Sequence, residues 1–248
     1  MLNTYKKRFS LKSFGNGIDF GTITGFEEVV TNGVSKFYLL DNYGYSRIII
    51  FNQYWIYQSH QNLPFSSTES LKYVEGYFYF TSSYYFYKTN STYSAINYYQ
   101  GSGYQQLIYD SDSSIFYVAN YAYSRIDVFD TFCSPLLTIN LEISGSYGLA
   151  AFNGNIYASD TSGNAVILQN GLAIKYFNLN QCSSNSITAD SSGYLAFKCS
   201  NYNQILIYDS NGKYMNTSIS TLSSPLYAAI DSKGRFIVLT SNSLDIYF

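Results

Sequence analysis

A ten-residue segment of this chain is repeated without a gap. Residues Tyr43–Asn52 read YGYSRIIIFN, and residues Tyr121–Asp130, 78 positions later (121 − 43), read YAYSRIDVFD. A weaker third copy, NYNQILIYD, begins at Asn201. Self-similarity at a fixed period indicates equal modules, because each module is one supersecondary unit that stacks on the next. The sequence therefore predicts a repeat fold.

Turn signals set the length of the repeat. Asp190–Gly193 reads DSSG and Asp231–Gly234 reads DSKG, 41 residues later (231 − 190). Asp opens such a turn by accepting backbone N–H groups, and Gly takes the positive φ that closes it. Asn32-Gly33 and Asn153-Gly154 hold the same place in other units. A period of about 40 residues divides the chain into about six units, which is the size of a propeller blade.

Each unit reads as three short strands joined by a tight turn and a polar loop, followed by an outer fourth strand. The clearest unit comprises residues 187–190, 194–197 and 205–208. Outer strands are predicted at Tyr54–Tyr57 and Ile174–Phe177, which places Trp55 on the outer surface. The 29 Tyr and 18 Phe residues favour strands. No segment of helical period is apparent, so we predict one all-β domain spanning residues 1–248.

The two ends of the chain predict how the ring closes. The last unit ends at Phe248, one strand short, whereas Thr4–Lys12 reads as a strand without a unit of its own. Pairing this strand with Leu244–Phe248 would complete a sixth blade and limit the exposed sheet edges. The predicted fold is a six-bladed β-propeller whose last blade is closed by the N-terminal strand.

The pattern resembles the NHL-repeat type of six-bladed β-propeller. The resemblance is carried by Asp41–Asn52, Ala119–Asp130 and Ala228–Val238, which follow that family's strand, Asp-x-x-Gly turn, strand, polar loop and Arg-Ile-x-x-Phe-Asp pattern. It implies ligand or partner binding through one face of the disc. Some members bind RNA, and some six-bladed relatives are enzymes. Since one fold hosts many functions, each has to be argued from a site.

The charge balance argues against nucleic acid as a partner. The chain has 14 Lys and Arg against 16 Asp and Glu, a formal net charge of −2. Near-neutral charge gives no drive from counterion release. The one basic cluster, Lys6–Arg8 with Lys12, is interpreted as a solvated strand edge. The longest apolar runs have strand length, so no transmembrane helix is expected, and the N-terminus lacks the apolar region of a signal peptide.

Groups that could hold a metal or perform catalysis are scarce. His60 is the single histidine and lies in a polar segment, which favours a surface residue over a ligand. Asp41 and Asp160 are the best candidates for a calcium site in the channel, but capping of nearby N–H groups is the favoured role. The sequence leaves a Cys182–Cys199 bridge open, with separate thiols favoured, and Cys133 completes an odd count. We therefore predict no metal, no cofactor and no catalytic residue.

The repeated Tyr-x-Tyr-Ser-Arg loops are the candidate binding elements. They join the second and third strands of the first and third blades, so they should emerge on the same face. Tyr and Arg there would offer amphipathic surface and hydrogen bonds to a glycan or a protein. In the alternative, the arginines pack between blades and the tyrosines fill the loops. The predicted binding residues are Tyr43, Tyr45, Arg47, Tyr121, Tyr123, Arg125 and Tyr202.

Composition also suggests a setting for the protein. Many Tyr, Ser, Asn and Thr with 12% charged residues are typical of surface or virion proteins of thermoacidophilic archaea and their viruses. A fold that depends on few ion pairs loses less stability when acid protonates carboxylates. Two sequons, at Asn90 and Asn216, permit glycosylation in such a setting.

Three functions follow as hypotheses. The first is a non-enzymatic recognition or structural module on a virion or cell surface, part of a larger assembly and bound to protein or glycan. The second is a metal-dependent propeller hydrolase or lactonase with its site in the central channel. The third is a cytoplasmic scaffold.

Overall fold

The computed structural model describes residues 6–10, 21–43, 45–180, 182–199, 201–221, 225–240 and 243–247. These residues contain no helix and form 24 β-strands in six antiparallel sheets of four strands each. The architecture is all-β and is a six-bladed β-propeller, which confirms the fold predicted from the repeat.

The strands follow one another in chain order, and each blade runs from an inner to an outer strand. The first blade contains β2 (Ile23–Thr31), β3 (Val34–Tyr43), β4 (Tyr45–Asn52) and β5 (Tyr57–Asn62). The second contains β6 (Thr68–Val74), β7 (Tyr77–Ser82), β8 (Tyr85–Thr89) and β9 (Ala95–Gln100). The third contains β10 (Tyr104–Asp110), β11 (Ile115–Asn120), β12 (Arg125–Phe129) and β13 (Pro135–Asn140).

The fourth blade contains β14 (Ser146–Phe152), β15 (Asn155–Asp160), β16 (Asn164–Gln169) and β17 (Leu172–Asn178). The fifth contains β18 (Ser184–Ala189), β19 (Leu195–Cys199), β20 (Gln204–Tyr208) and β21 (Tyr214–Ser220). The sixth contains β22 (Pro225–Ile230), β23 (Phe236–Thr240), β24 (Ser243–Tyr247) and, as its outer strand, β1 (Lys6–Ser10).

The sixth blade is completed by the first strand of the chain. β1 lies antiparallel to β24, with Lys6 opposite Tyr247 and Ser10 opposite Ser243. This pairing covers the edge that β24 would otherwise expose and holds both ends of the chain in one sheet. The predicted closure is confirmed; residues 4, 5, 11 and 12 of the predicted strand lie outside the described part of the chain.

The core lies between blades. The inner strands β2, β6, β10, β14, β18 and β22 follow one another around the central channel, and β22 contacts β2 to close the ring. Buried apolar side chains form one cluster at each of the six interfaces between neighbouring blades. Because each fully buried aliphatic or aromatic side chain contributes about 1.5–3 kcal/mol, these clusters hold adjacent blades together.

The predicted turn chemistry is present. The Oδ1 atom of Asp190 accepts hydrogen bonds from the backbone N–H groups of Ser192 and Tyr194, both within 2.9 Å, and Gly193 has φ +86°. Asp231 does the same for residues 233 and 235, and Gly234 has φ +72°. One short-range pattern therefore terminates strands in units 41 residues apart.

Trp55 is placed differently from the prediction. The fourth strand begins at Tyr57, and Trp55 lies in the turn before it with 3% of its surface exposed. Asn52 opens this turn by accepting hydrogen bonds from the N–H groups of residues 54 and 56. Trp55 takes the position that Gly holds in related turns, with φ +62°, and its ring stacks on Phe37 with centroids 4.1 Å apart. The strand propensity of Tyr, Trp and Ile misled the prediction, because the Asn52 turn overrides it.

Two of the three cysteines form a disulfide. Cys182 and Cys199 are bonded, whereas Cys133 is free and buried. Ser184 pairs with Cys199 across β18 and β19, so Cys182 lies only two residues from the partner of Cys199. The expectation of separate thiols was wrong, because the register that brings the two sulfurs together was not apparent from spacing. The bridge ties the segment that enters the fifth blade to the end of β19.

Candidate functional site

One face of the disc is formed by the turns between second and third strands together with the connections between blades. Both sets lie at the same end, because the strands of every blade are antiparallel. In the described part of the chain, these turns carry five exposed tyrosines. We call this side the tyrosine face after Tyr45, Tyr84, Tyr121, Tyr123 and Tyr202.

Four of these tyrosines come from the repeated motif or its weaker copy. Tyr45 is 76% exposed at the start of β4, and Tyr121 and Tyr123 are exposed between β11 and β12. Tyr202 is exposed between β19 and β20. The side chain of Tyr43 lies outside the described residues. The expectation that these loops share one face therefore agrees with the topology.

Tyr84 was missed by motif reading and completes the series. It is 64% exposed in the turn between β7 and β8, where the sequence is SSYY rather than Tyr-x-Tyr-Ser-Arg. The period itself could have revealed it, since Tyr84 lies 39 residues after Tyr45 and 39 before Tyr123 (84 − 45 and 123 − 84). By strand register Tyr84 corresponds to Ser46 and Ser124, one position after Tyr45 and Tyr123. An exposed tyrosine thus recurs in this turn of three consecutive blades, although not at one position.

Charge is distributed unequally between the two faces. On the tyrosine face, the described turns and connections expose one charged side chain outside ion pairs, Glu142. The turns of the opposite face expose Glu75, Asp112, Lys213 and Lys233. The opposite face also exposes Tyr54, Tyr77, Phe132 and Tyr194. The tyrosine face therefore differs from its counterpart mainly in its scarcity of charge.

Arg47 serves the structure of the first blade. Its Nε and Nη2 atoms lie 2.9 and 2.7 Å from Oδ2 of Asp41, the residue directly opposite in β3. Oδ1 of Asp41 accepts the backbone N–H of Gly21 at 2.8 Å. Burial raises the pKa of Asp41, although Arg47 and the Gly21 amide oppose that rise. With 12% of its side chain exposed, Arg47 supports the loop rather than presenting a charge.

Arg125, at the same motif position, finds its carboxylate elsewhere. The residue opposite it in β11 is Asn120, and its Nε atom lies 2.7 Å from Oδ1 of Asp127 in its own strand. Asn120 donates to the other oxygen of Asp127 at 2.7 Å. The Arg125 side chain is 32% exposed, and its guanidinium lies 4.8 Å from the ring centroid of Tyr123. Arg125 therefore anchors the loop and also supports an exposed tyrosine.

The candidates for metal binding have other roles. Asp160 accepts hydrogen bonds from the N–H groups of Ser162 and Asn164 and from the Asn164 side chain, at 2.8–2.9 Å. This is the capping role that the sequence favoured. His60 is exposed on β5, with its Nδ1 atom 2.8 Å from the hydroxyl oxygen of Tyr57. Within the described ranges, no three His, Cys, Asp or Glu side chains lie close enough together to hold a metal ion.

A cleft of about 600 Å³ opens on the tyrosine face between the first two blades. It is lined by Tyr45 of the first blade, by Tyr84 of the second blade and by residues 63–67, which connect the two blades. Phe65 and Tyr87 stack in the wall, with centroids 4.5 Å apart and planes 10° from parallel. The sequence could not reveal this site, because it arises where two blades meet.

The central channel is smaller and is bridged by polar side chains. It encloses about 340 Å³ and is lined by the inner strands of all six blades. The Lys72 ammonium lies 2.8 Å from Oε2 of Glu27 on the neighbouring blade. Burial opposes the charged form of Lys72, but the charge of Glu27 and its hydrogen bond produce a net rise in the pKa of Lys72.

Gln106 bridges the other side of the channel. Its side-chain oxygen accepts the N–H of Leu149 at 3.0 Å, and its side-chain nitrogen donates to the carbonyl oxygen of Ile187 at 3.1 Å. One side chain thus links the third, fourth and fifth blades. The side chains of Glu27, Lys72 and Gln106 therefore link inner strands of neighbouring blades.

Comparison with known proteins supports the propeller fold and does not assign the chain to a family. No protein-family model matches the sequence, and no curated protein matches it either. The NHL resemblance therefore stays a prediction. Among the described residues, no helix has the length and apolar character needed to cross a membrane.

Two solved structures illustrate the structural likeness. The chain is similar to virginiamycin B lyase from Staphylococcus aureus, with a TM-score of 0.70 and 12% identity over 99% of this chain and 88% of that one. It is also similar to a chain of the mitotic checkpoint complex, with a TM-score of 0.68 and 13% identity over 89% of this chain and 73% of that one. At these identities the likeness shows the propeller fold alone.

Proposed function

We propose that this protein is a non-enzymatic recognition module that binds a protein or glycan partner through its tyrosine face. The observation that carries the proposal is the series of exposed tyrosines in the turns of that face, at Tyr45, Tyr84, Tyr121, Tyr123 and Tyr202. Tyrosine provides a large contact area with two side-chain torsions to order and a hydroxyl for hydrogen bonding, so it is enriched in recognition surfaces.

The distribution of charge supports the same face. A partner that buries charged groups has to remove their water, which costs free energy unless each charge is paired. The described part of the tyrosine face exposes few charges, so this cost is small there. Arg47 and Arg125 are held by carboxylates in the blades, and they fix the loops before any partner arrives.

The competing hydrolase hypothesis requires reactive groups in the channel. The carboxylate of Glu27 is paired with Lys72, and Gln106 is bonded to two inner strands, so these side chains already have structural partners. The named lyase among the structural neighbours is an enzyme, but 12% identity carries no residue of its chemistry to this chain. We therefore place function on the face rather than in the channel.

We further propose that the protein works at a virion or cell surface as part of a larger assembly. The Cys182–Cys199 disulfide supports this setting, since disulfides persist mainly in oxidising environments. Asn216, one of the two sequon residues, is exposed on the outer strand β21, where a glycan could be attached. The structural neighbour from the mitotic checkpoint complex is itself part of a protein assembly, which is consistent with a protein partner.

Hydroxyl-radical footprinting tests the proposal even while the partner is unidentified. The protein would be labelled both in its native particle or envelope fraction and after purification. We expect Tyr45, Tyr84 and Tyr123 to be protected in the native fraction. Tyr194, on the opposite face, and Tyr98, on an outer strand, serve as the comparison. Equal labelling of both sets in both samples would overturn the proposed function.

A further inference from the structure

We propose that the cleft between the first and second blades binds a neutral saccharide. The inference rests on the proposed function, because the cleft opens on the tyrosine face, and it adds the chemical class of the ligand. Three observations carry it: an aromatic wall held by ring contacts, a set of hydroxyls that form no hydrogen bond with another described residue, and a lining without charge among the described residues.

The aromatic wall is built before any ligand binds. Tyr85 and Tyr87 project from the same side of β8 with ring centroids 5.2 Å apart, and Phe65 stacks on Tyr87 at 4.5 Å. Rings held by their neighbours lose little conformational freedom on binding. A saccharide ring has a face of C–H groups with slightly positive hydrogens, which is complementary to the negative face of an aromatic ring. Tyr45 and Tyr84, exposed at the edges, would supply further rings.

Serine hydroxyls surround the same space. Ser66, Ser67 and Ser83 line the cleft, and their hydroxyls form no hydrogen bond with another described residue. A hydroxyl is both a donor and an acceptor. Saccharide hydroxyls have the same dual character, so the two sets match. The carbonyl groups of a proline-rich segment, which also docks on aromatic grooves, would use only the donors.

The lining selects against charged ligands. None of the described residues around the cleft is charged. Sulfated, phosphorylated or carboxylated ligands are usually held by Arg or Lys, and neither is among the described residues that line this cleft. Its volume of about 600 Å³ falls in the range of small-molecule sites, roughly 300–1,000 Å³. Together these features point to a neutral oligosaccharide.

The test uses the full chain and an array of neutral hexose and N-acetylhexosamine oligosaccharides. Sulfated and sialylated saccharides and a proline-rich peptide are included as competing ligand classes. We expect binding to one or more neutral saccharides, measured afterwards in solution by titration calorimetry. Tyr84→Ala should raise the Kd by about tenfold, which corresponds to about 1.4 kcal/mol for the loss of one ring stacked on the ligand. Tyr84→Phe should raise it by less than about threefold, because the ring remains.

Matched variants separate the cleft from the rest of the surface. Ser83→Ala should also weaken binding, whereas Tyr54→Ala and Tyr194→Ala, both on the opposite face, should leave the Kd within about twofold. Melting curves for each variant establish that it is folded. Absence of saccharide binding, preference for acidic saccharides or the peptide, or equal binding by Tyr84→Ala would overturn the inference.

The two proposals fail in different ways. If no saccharide binds but footprinting still shows protection of the tyrosine face, the recognition module stands and the ligand class is wrong. If neither binding nor protection is seen, both are wrong.

Discussion

Arg125 is held by Asp127, two residues along the same strand, with 2.7 Å between Nε and Oδ1. In the other copy of the motif, Arg47 is held by Asp41 from the neighbouring strand at 2.7 Å. Asn120 occupies the place of Asp41, and Ile49 occupies the place of Asp127. The carboxylate has thus changed strands while the arginine has kept its position.

This exchange predicts that substitutions at positions 120 and 127 have coupled effects on stability. Asp127→Ile should lower the free energy of unfolding by about 2–3 kcal/mol, because it leaves a partly buried Arg125 and Asn120 without their acceptor. Adding Asn120→Asp should restore part of the loss, since it recreates the arrangement of the first blade. Urea unfolding measures both. The exposed Asp112→Asn is the control and should change stability by less than about 0.5 kcal/mol. A double variant no more stable than the single one would contradict the exchange.

A second prediction concerns Trp55. Trp55→Gly relieves the strain of a left-handed backbone conformation, which should raise the free energy of unfolding by about 1–2 kcal/mol. It also removes a stacked ring from the core, which should lower the free energy of unfolding by about 3–5 kcal/mol. We therefore expect a net loss of about 2 kcal/mol in urea unfolding. Asn153→Gly is the matched control, because Asn153 is exposed and also has a positive φ of 50°. If Trp55→Gly were as stable as the parent, the ring would not be part of the core.

The disulfide gives a third prediction. Cys182→Ser together with Cys199→Ser should lower the free energy of unfolding by about 2–4 kcal/mol, because the bridge restricts the unfolded chain. A reductant should have the same effect on the parent protein and none on the variant. Similar stability of parent and variant under oxidising conditions would contradict this role.

The free thiol gives a related expectation. Burial raises the pKa of Cys133 to about 12, so the reactive thiolate is scarce in the folded protein. Folded protein should react slowly with a thiol reagent, and denaturation without reductant should expose one thiol. Rapid labelling of Cys133 in the folded state would show that it is accessible.

Glu69 gives a prediction about pH. This residue lies at the bulge between Thr68 and Ser70, and burial raises its pKa above the ordinary value of 4.5. The folded state therefore holds the proton more tightly than the unfolded chain. Its contribution favours folding below pH 4.5 and is lost as the pH rises through the folded pKa.

Glu69→Gln should accordingly raise the Tm at pH 7 and leave it unchanged at pH 3. Glu75→Gln, in an exposed turn of the opposite face, is the control and should show no such difference between the two pH values. A Glu69→Gln variant with an unchanged or lower Tm at pH 7 would indicate that the carboxylate is not penalised by burial.

Most of the fold could be predicted because its rules are local. The Asp190 and Asp231 turns repeat with the blade, and their geometry depends on residues within four positions. The first strand of the chain had no blade of its own and the last blade lacked a fourth strand, so pairing these two elements closed the ring. Trp55 could not be predicted, since its side chain stays buried only by accepting a backbone conformation that its residue type disfavours.

The site could be predicted only in part. The motif located Tyr45, Tyr121, Tyr123 and Tyr202. Tyr84 lies 39 residues from both Tyr45 and Tyr123 but is not part of a Tyr-x-Tyr-Ser-Arg motif. Asp127 was missed because the ion pair moved to a different strand. The cleft depends on Phe65 meeting Tyr87 across two blades, which is a long-range contact that neither motif nor composition specifies.

The account depends most on the tyrosine face as the place where the partner binds. The direct measurement is cosedimentation of purified protein with native particles or envelopes stripped of it. A variant with Tyr45, Tyr84, Tyr123 and Tyr202 changed to Ala should lose association, with a Kd raised by more than about a hundredfold. A variant with Tyr54, Tyr77, Phe132 and Tyr194 changed to Ala on the opposite face should bind as the parent does. Loss of binding by the second variant with retention by the first would contradict the account.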